Sequence, residues 1–190
     1  MKKFISQTVI ALIGFGYINS ATASEWTGHV SGYLGKKGIQ EDGWANSDEH
    51  GAIGIITDFK KTDWPVSIAV DLFATGNEDS VSGLNQKTYS AQAHVGARKI
   101  FNFEDCRIHP YVGGGVALSS IIQKNQNSSG KEEFDDNDVS SWIGTGAYIY
   151  VTDSLTVGAD IRYSKANVEL KNQSVDASGT MAGLTVGYSW

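Results

Sequence analysis

A histidine and a serine two residues apart can act as a general base and a nucleophile, and this sequence has that spacing at His29 and Ser31. The pair falls on the polar face of a segment with alternating polarity. The chain has only 4 histidines but many serines. We therefore interpret the spacing as coincidence and expect a protein that is not an enzyme.

An acidic run follows residue 130, and its carboxylate oxygens are of the type that binds calcium. The run lacks the spacing of a twelve-residue calcium loop, so a solvated loop apex is the favoured interpretation. We predict no metal site, although cation binding by this run stays open. Its acidic residues are Glu132, Glu133, Asp135, Asp136 and Asp138.

Two other features resemble sites but lack the required context. The glycine-rich stretch "PYVGGGVA" follows no strand-to-helix pattern, so it predicts close packing of strands and not a phosphate-binding loop. Cys106 is the only cysteine, so it cannot form an internal disulfide, and it has no second thiol with which to react. We expect no cofactor.

The N-terminus has the layout of a secretory signal peptide. Lys2 and Lys3 precede an apolar run over residues 9–15, and small residues follow at Ala21 and Ala23. The run is shorter than the roughly 20 apolar residues of a membrane-spanning helix. We therefore assign residues 1–23 to the signal peptide and residues 24–190 to one exported domain, whose acidic balance argues against a nucleic-acid partner.

Alternation of apolar and polar residues with a period of two dominates the exported domain, and no helical periodicity competes with it. Glycine is abundant (22 residues), proline is scarce (2 residues) and aromatic residues reach 11%, a composition that favours strands. Eight segments of strand length are predicted near residues 25–35, 50–59, 64–73, 89–99, 107–122, 139–151, 155–164 and 178–190.

The connections between these segments alternate strictly between long, polar stretches and short ones. In an antiparallel order, all the long connections then lie at one end and all the short ones at the other, which is typical of outer-membrane barrels. The sequence thus predicts an all-β, eight-stranded antiparallel up-and-down transmembrane barrel with periplasmic short turns and termini. The long connections are residues 35–49, 75–86, 124–138 and 168–178; the short ones are residues 60–63, 102–105 and 152–154.

The polar face of the strands carries charges and glycines, which suit a narrow, filled barrel interior better than the apolar cavity of a soluble lipocalin. Because an isolated buried charge is costly, we expect these groups to pair in a structural network. The predicted members are Asp71, His94, Arg98, Asp160 and Arg162. Aromatic residues gather near strand ends, where rings meet lipid headgroups, at Trp26, Trp64, Phe101, Tyr163 and Trp190.

These features, with "HPYVGGGVAL" over residues 109–118 and the final "VGYSW", resemble the small outer-membrane β-barrel proteins of the opacity and porin-like group. The resemblance implies that the barrel assembly machinery reads the last strand through Leu184, Tyr188 and Trp190. Members of that group include adhesins and serum-resistance proteins, so it implies a function in extracellular loops. The partners would be outer-membrane lipid, lipopolysaccharide, and a host or cell surface.

Two alternatives remain. Some outer-membrane barrels modify lipid A, and the deacylases among them resemble this chain at "RYSKAN". They need a histidine two residues before the serine, whereas Arg162 precedes Ser164 here. The palmitoyltransferases carry an amphipathic helix before the barrel, but here a strand begins almost at once, at Trp26. A narrow pore is the second alternative, although side chains fill a barrel of eight strands.

Overall fold

The computed structural model describes residues 25–39, 49–81, 84–104, 106–127, 130–165, 167–170, 173–176 and 178–190. The side chains of residues 39, 49, 77–88, 121–137 and 167–176 lie outside that description, as does the predicted signal peptide. The strands are β1 (Trp26–Ile39), β2 (Glu49–Lys61), β3 (Ser67–Val81), β4 (Leu84–Ile100), β5 (Ile108–Asn127), β6 (Gly130–Tyr150), β7 (Leu155–Ser164), β8 (Asn167–Leu170), β9 (Gln173–Asp176) and β10 (Gly179–Ser189).

Eight of these strands form one closed antiparallel barrel in the order β1-β10-β7-β6-β5-β4-β3-β2, and β8 and β9 form a separate hairpin. The first and last barrel strands close the ring in a continuous register from His29 opposite Ser189 to Ile39 opposite Gly179. The predicted eight-stranded barrel is therefore confirmed. In the described part of the chain, no helix has the length and the apolar character needed to cross a membrane.

Polarity in this barrel is the reverse of that in a water-soluble protein. Along β7, Thr156, Asp160 and Arg162 are buried, whereas Leu155 and Ile161 are exposed. The same alternation on the other strands leaves large aliphatic side chains on the outside. Because such a surface would be very unfavourable in water, it indicates a barrel surrounded by lipid.

The exposed apolar side chains form a belt around the barrel. On β5 the belt runs from Ile108 through Val112 and Val116 to Leu118. At about 3.3 Å per residue and the usual tilt of outer-membrane strands, this stretch is about 25 Å tall, which matches the apolar band of such barrels.

The two ends of the barrel differ. At one, which we call the turn end, residues 62–66, 101–107 and 151–154 connect the strands, and β1 begins and β10 ends there. At the other, the extended end, β3 to β6 continue past the belt, and β5 pairs with β6 as far as Asn127 opposite Gly130.

The prediction that residues 75–86 and 124–138 form long loops is therefore wrong, because most of these residues lie in strands. Their backbone is paired as in the barrel wall, with Glu78 opposite Lys87 and Asn125 opposite Glu132. The sequence lacks the apolar alternation of the belt in these residues, which is why they resemble loops. The acidic run thus begins in β6, although the side chains of residues 132–137 are not described.

The start of the third strand also differs from the prediction. Trp64 and Pro65 lie in the turn before β3, where the Trp64 amide donates to the Lys61 carbonyl at 2.9 Å. Proline has no amide hydrogen for a ladder, so a position in a turn is favourable for it. The Trp64 ring packs edge-on against Trp26 with 5.6 Å between ring centroids, which gathers aromatic side chains at the turn end.

Candidate functional site

The interior of the barrel contains a network of buried charges. All five residues predicted for it lie on the inner faces of β3, β4 and β7, and each is at most 3% exposed. The structure brings all five together through a set of short contacts. The residues are Asp71, His94, Arg98, Asp160 and Arg162.

Arg98 joins two carboxylates in the half of the interior nearer the turn end. Its Nη1 donates to Asp58 Oδ2 at 3.0 Å and its Nη2 donates to Asp71 Oδ2 at 2.7 Å. Nη1 also lies 3.2 Å from the hydroxyl of Tyr148, which itself donates to Asp58 Oδ2 at 2.8 Å. The guanidinium is therefore held by groups from three other strands, which fixes its position.

Arg162 forms the second centre of the network. Its Nε and Nη2 donate to the two oxygens of Asp160 at 2.7 and 2.9 Å, a bidentate pair along one strand. Its Nη1 donates to Asp71 Oδ2 at 2.9 Å and to His94 Nδ1 at 3.3 Å. Asp71 and His94 face each other in the β3–β4 register, and both contact Arg162. Asp71 therefore accepts from both guanidinium groups of the network.

Four further members were not predicted for the network. Asp58 accepts from Arg98, and His29 Nδ1 lies 3.1 Å from Asp58 Oδ1. Tyr148 donates to Asp58, and the Tyr111 hydroxyl donates to Asp160 Oδ2 at 2.6 Å. Asp58 and His29 could have been found, because each sits at an inward position of its strand. The tyrosines could not, since an aromatic residue in an outer-membrane strand normally indicates the lipid side.

Aromatic rings enclose both guanidinium groups. The Arg162 group lies 4.3 Å from the ring centroid of Phe73 and 5.4 Å from that of Trp142. The Arg98 group lies 4.9 Å from the ring centroid of Tyr111. Such cation–π contacts are stronger when they are desolvated, as here, so the rings add to the attraction of the carboxylates.

Glycines in the wall make room for these inward rings. A Cβ atom at Gly146 would lie 2.5 Å from the Tyr111 hydroxyl oxygen, and one at Gly183 would lie 2.6 Å from Cζ of Tyr33. Real Cβ atoms do not approach other atoms so closely, so a larger residue at either position would displace the ring. The abundance of glycine on the polar face therefore follows from the packing of aromatic residues inside a narrow barrel.

The arrangement is suited to structural support. His29 Nδ1 contacts Asp58 and Nε2 lies 2.6 Å from the Tyr150 hydroxyl, so both nitrogens are engaged away from Ser31. Ser164 is fully buried in the interior. The network can therefore hold opposite walls of the barrel together, and among the described residues neither serine Oγ has a hydrogen-bond partner.

The predicted assembly residues lie on the outer face of β10 and just after it. Leu184, Tyr188 and Trp190 are 69%, 55% and 44% exposed. Gly28 and Trp190 exchange two backbone hydrogen bonds of 3.1 Å, and the Trp190 ring covers the outside of Gly28. Trp190 thus extends the seam between β1 and β10 at the turn end, while its role in assembly stays a prediction.

The sequence matches the family model described as the outer membrane protein beta-barrel domain over residues 8–189. No curated protein shows significant similarity to it.

Several solved structures share the fold. Ail, the attachment invasion locus protein of Yersinia pestis, has a TM-score of 0.63 at 14% identity, over 87% of this chain and 99% of its own. Neisserial surface protein A has a TM-score of 0.56 at 18% identity, over 86% and 95% of the two chains. A major outer membrane protein from Thermus thermophilus has a TM-score of 0.61 at 8% identity, over 87% and 99%. At these identities the similarity shows the fold alone.

Proposed function

Because this chain belongs to the outer membrane protein beta-barrel domain family, we propose that it acts without catalysis, as a surface-interaction protein in the outer membrane of a Gram-negative bacterium. Its working part is the extended end, which in this proposal faces outward. The short turns and the two chain ends then face the periplasm, where the barrel assembly machinery would read the last strand. One protein of the same fold is named the attachment invasion locus protein and another Neisserial surface protein A.

The observation that carries the proposal is the sheet that β3, β4, β5 and β6 form beyond the belt. These strands stay paired to Val81 opposite Leu84, to Asn85 opposite Gln126 and to Asn127 opposite Gly130. From Leu118 to Asn127, β5 alone spans roughly 30 Å of strand. A barrel that only filled space in the membrane would not require a paired sheet of this length outside it.

Within the part of the chain that the structure describes, one edge of this sheet is unpaired beyond Gly76. Among the described residues, the pairing of β3 with β2 ends at Gly51 opposite Gly76, although β3 itself continues to Val81. Continuing the same register would place Glu49 opposite Glu78, and like charges facing each other on neighbouring strands are destabilising. The free edge offers backbone donors and acceptors to an extended segment of another protein.

The charge of the extended end indicates the kind of partner. The β3 edge carries Glu78 and Asp79, and the acidic run lies on β6 of the same sheet. Electrostatic complementarity therefore favours a basic segment on the partner surface, while bound divalent cations would mediate contact with lipopolysaccharide. A basic, extended peptide segment of a host or neighbouring-cell protein fits the edge best.

The barrel interior is unfavourable for the two alternative functions, a lipid A-modifying enzyme and a narrow pore. Both nitrogens of His29 are engaged by Asp58 and Tyr150, which is unfavourable for a lipid A hydrolase built on Ser31. Large side chains, Arg98 and Arg162 among them, are fully buried in the interior, which is unfavourable for a diffusion pore.

Shortening the sheet tests the proposal. Deleting residues 121–137 and joining the strands by a short turn should abolish binding of cells to an extracellular-matrix or host-cell surface. The barrel should remain folded, as judged by heat-modifiable migration on gels. A matched control deletes residues 168–176, between β7 and β10, and should retain binding. Equal binding by all three proteins would contradict the proposal.

A further inference from the structure

An apolar groove of about 720 Å³ crosses the outer face of the barrel over β4 to β7 and β10. One row of its lining residues lies in register on these five strands: Ala97 faces Gly114, Gly114 faces Ile143, Ile143 faces Tyr163, and Tyr163 faces Thr180. At about 4.8 Å between strands, the row is roughly 19 Å long.

The groove is deep where its side chains are small. Ala97 and Gly114 leave the wall almost bare, whereas Val112 beside them is an exposed aliphatic side chain that stands above it. Barrel strands are tilted by about 40°, so a row perpendicular to them runs obliquely through the belt. It begins near the turn end of β4 and finishes near the extended end of β10.

A cationic side chain lies where the groove reaches the turn end of the barrel. Lys99 is an exposed lining residue, two positions along β4 from Ala97, and its Nζ donates to the Pro65 carbonyl at 2.8 Å. That bond fixes the ammonium group at the edge of the belt. An ammonium group has three donors, so two remain for another acceptor.

We propose that this groove is a binding site for one anionic phospholipid, with an acyl chain along the row from Ala97 to Thr180 and the headgroup phosphate at Lys99. The apolar lining, which follows an oblique path through the belt, matches the acyl chain of such a lipid. The cation at the turn end matches its headgroup phosphate. In the orientation proposed above, the lipid belongs to the periplasmic leaflet. The site adds a lipid-binding role at the turn end of a protein whose proposed partner-binding surface is at the other.

Native mass spectrometry of the purified full-length barrel in detergent tests the site, because it counts bound lipids regardless of orientation. We expect the barrel to retain phosphatidylglycerol about fivefold better than phosphatidylcholine. Ala97→Phe fills the groove and should remove most retention of both lipids. Lys99→Gln removes the cation and should abolish the preference while weak retention of both lipids continues.

Ala74→Phe is the matched control, because it places the same ring on an exposed position of β3 outside the groove. It should retain lipid like the unchanged protein. Heat-modifiable migration on gels establishes that each variant is folded, and Ala97→Leu replaces Ala97→Phe if the larger side chain prevents folding. Equal retention by the groove and control variants would overturn the site. A preference for phosphatidylglycerol that persists in Lys99→Gln would overturn the role of Lys99.

Discussion

Arg162 and Asp71 form an ion pair across the full width of the barrel. Their strands, β7 and β3, lie four places apart in a ring of eight, yet Arg162 Nη1 is 2.9 Å from Asp71 Oδ2. A pair that joins opposite walls leaves little room for a continuous water channel, and it ties together strands that share no backbone hydrogen bond.

Removing Asp71 should destabilise the barrel. Asp71→Ala leaves two buried guanidinium groups short of a carboxylate, so we expect a loss of roughly 3 to 5 kcal/mol in the free energy of unfolding. Urea titration in lipid vesicles would measure it. Asp153→Ala, at an exposed turn position, is the control and should cost less than about 0.5 kcal/mol. A loss below about 1 kcal/mol for Asp71→Ala would show that water screens this site.

Adding one methyl group to the inner wall should be costly where a ring lies against it. Gly146→Ala would place a Cβ atom against the Ala159 carbonyl and the Tyr111 hydroxyl and would force Tyr111 away from its 2.6 Å bond to Asp160, for which we expect a loss of about 1 to 3 kcal/mol. At Gly32 the nearest atom to an added Cβ is 3.8 Å away, so Gly32→Ala should be close to neutral. Similar unfolding midpoints for both variants would contradict the proposed packing.

Trp190 should contribute more to the yield of assembled barrel than another exposed aromatic residue at the turn end. Trp190→Asp removes both an interfacial ring and a predicted recognition residue, so the amount of compact, heat-modifiable barrel in the outer membrane should fall severalfold. Phe103→Asp changes an exposed aromatic residue at the same end and is the control. If both variants reach the outer membrane in equal yield, Trp190 is only an anchor.

The orientation can be tested with the single natural cysteine. Cys106 is exposed in the connection between β4 and β5 at the turn end, so a membrane-impermeant maleimide should label it only after the outer membrane is opened. In a Cys106→Ser background, Ser129→Cys between β5 and β6 should be labelled on intact cells. The opposite result for the two positions would reverse the proposed topology.

The open edge of β3 should be closed by reversing one charge. Glu49→Lys would place an ammonium group opposite Glu78 in the register that now ends at Gly51 and Gly76, so β2 and β3 should pair further. Hydrogen exchange should then slow at the backbone amides of residues 77–79. Glu49→Gln, which only removes the charge, should have a smaller effect. Unchanged exchange in both variants would mean that charge does not limit the pairing.

The barrel was predictable because lipid on one side and a packed interior on the other impose a strict period of two. That period located Asp71 and Arg98 on the inner face, and the cost of unpaired buried charges predicted that they would find partners. Between Thr75 and Gln86 the sequence loses that period, although the backbone of β3 and β4 remains paired there. The paired extension was therefore missed.

The aromatic members of the network were not predictable for a different reason. Alternation assigns a side chain to a face but not to a contact, and it does not distinguish Tyr111 and Tyr148 from ordinary apolar residues of their strands. The Tyr111 hydroxyl bonds a carboxylate of β7, two strands away in the ring, and the Tyr148 hydroxyl bonds a carboxylate of β2, on the far side of the barrel. Only the closed ring brings Tyr148 and Asp58 together, whereas the register of β5, β6 and β7 places Tyr111 and Asp160 on either side of Gly146.

The β2–β3 seam shows how closely the wall depends on the interior. Its register pairs Ile55 with Leu72 and Asp58 with Ala69, and between these pairs the Thr57 amide donates to Asp71 Oδ1 at 3.0 Å. At this point a side chain of the charge network takes the place of a backbone acceptor. Wall and interior are therefore one cooperative unit, and the barrel should unfold in a single transition without an intermediate in which an intact wall encloses a disordered interior.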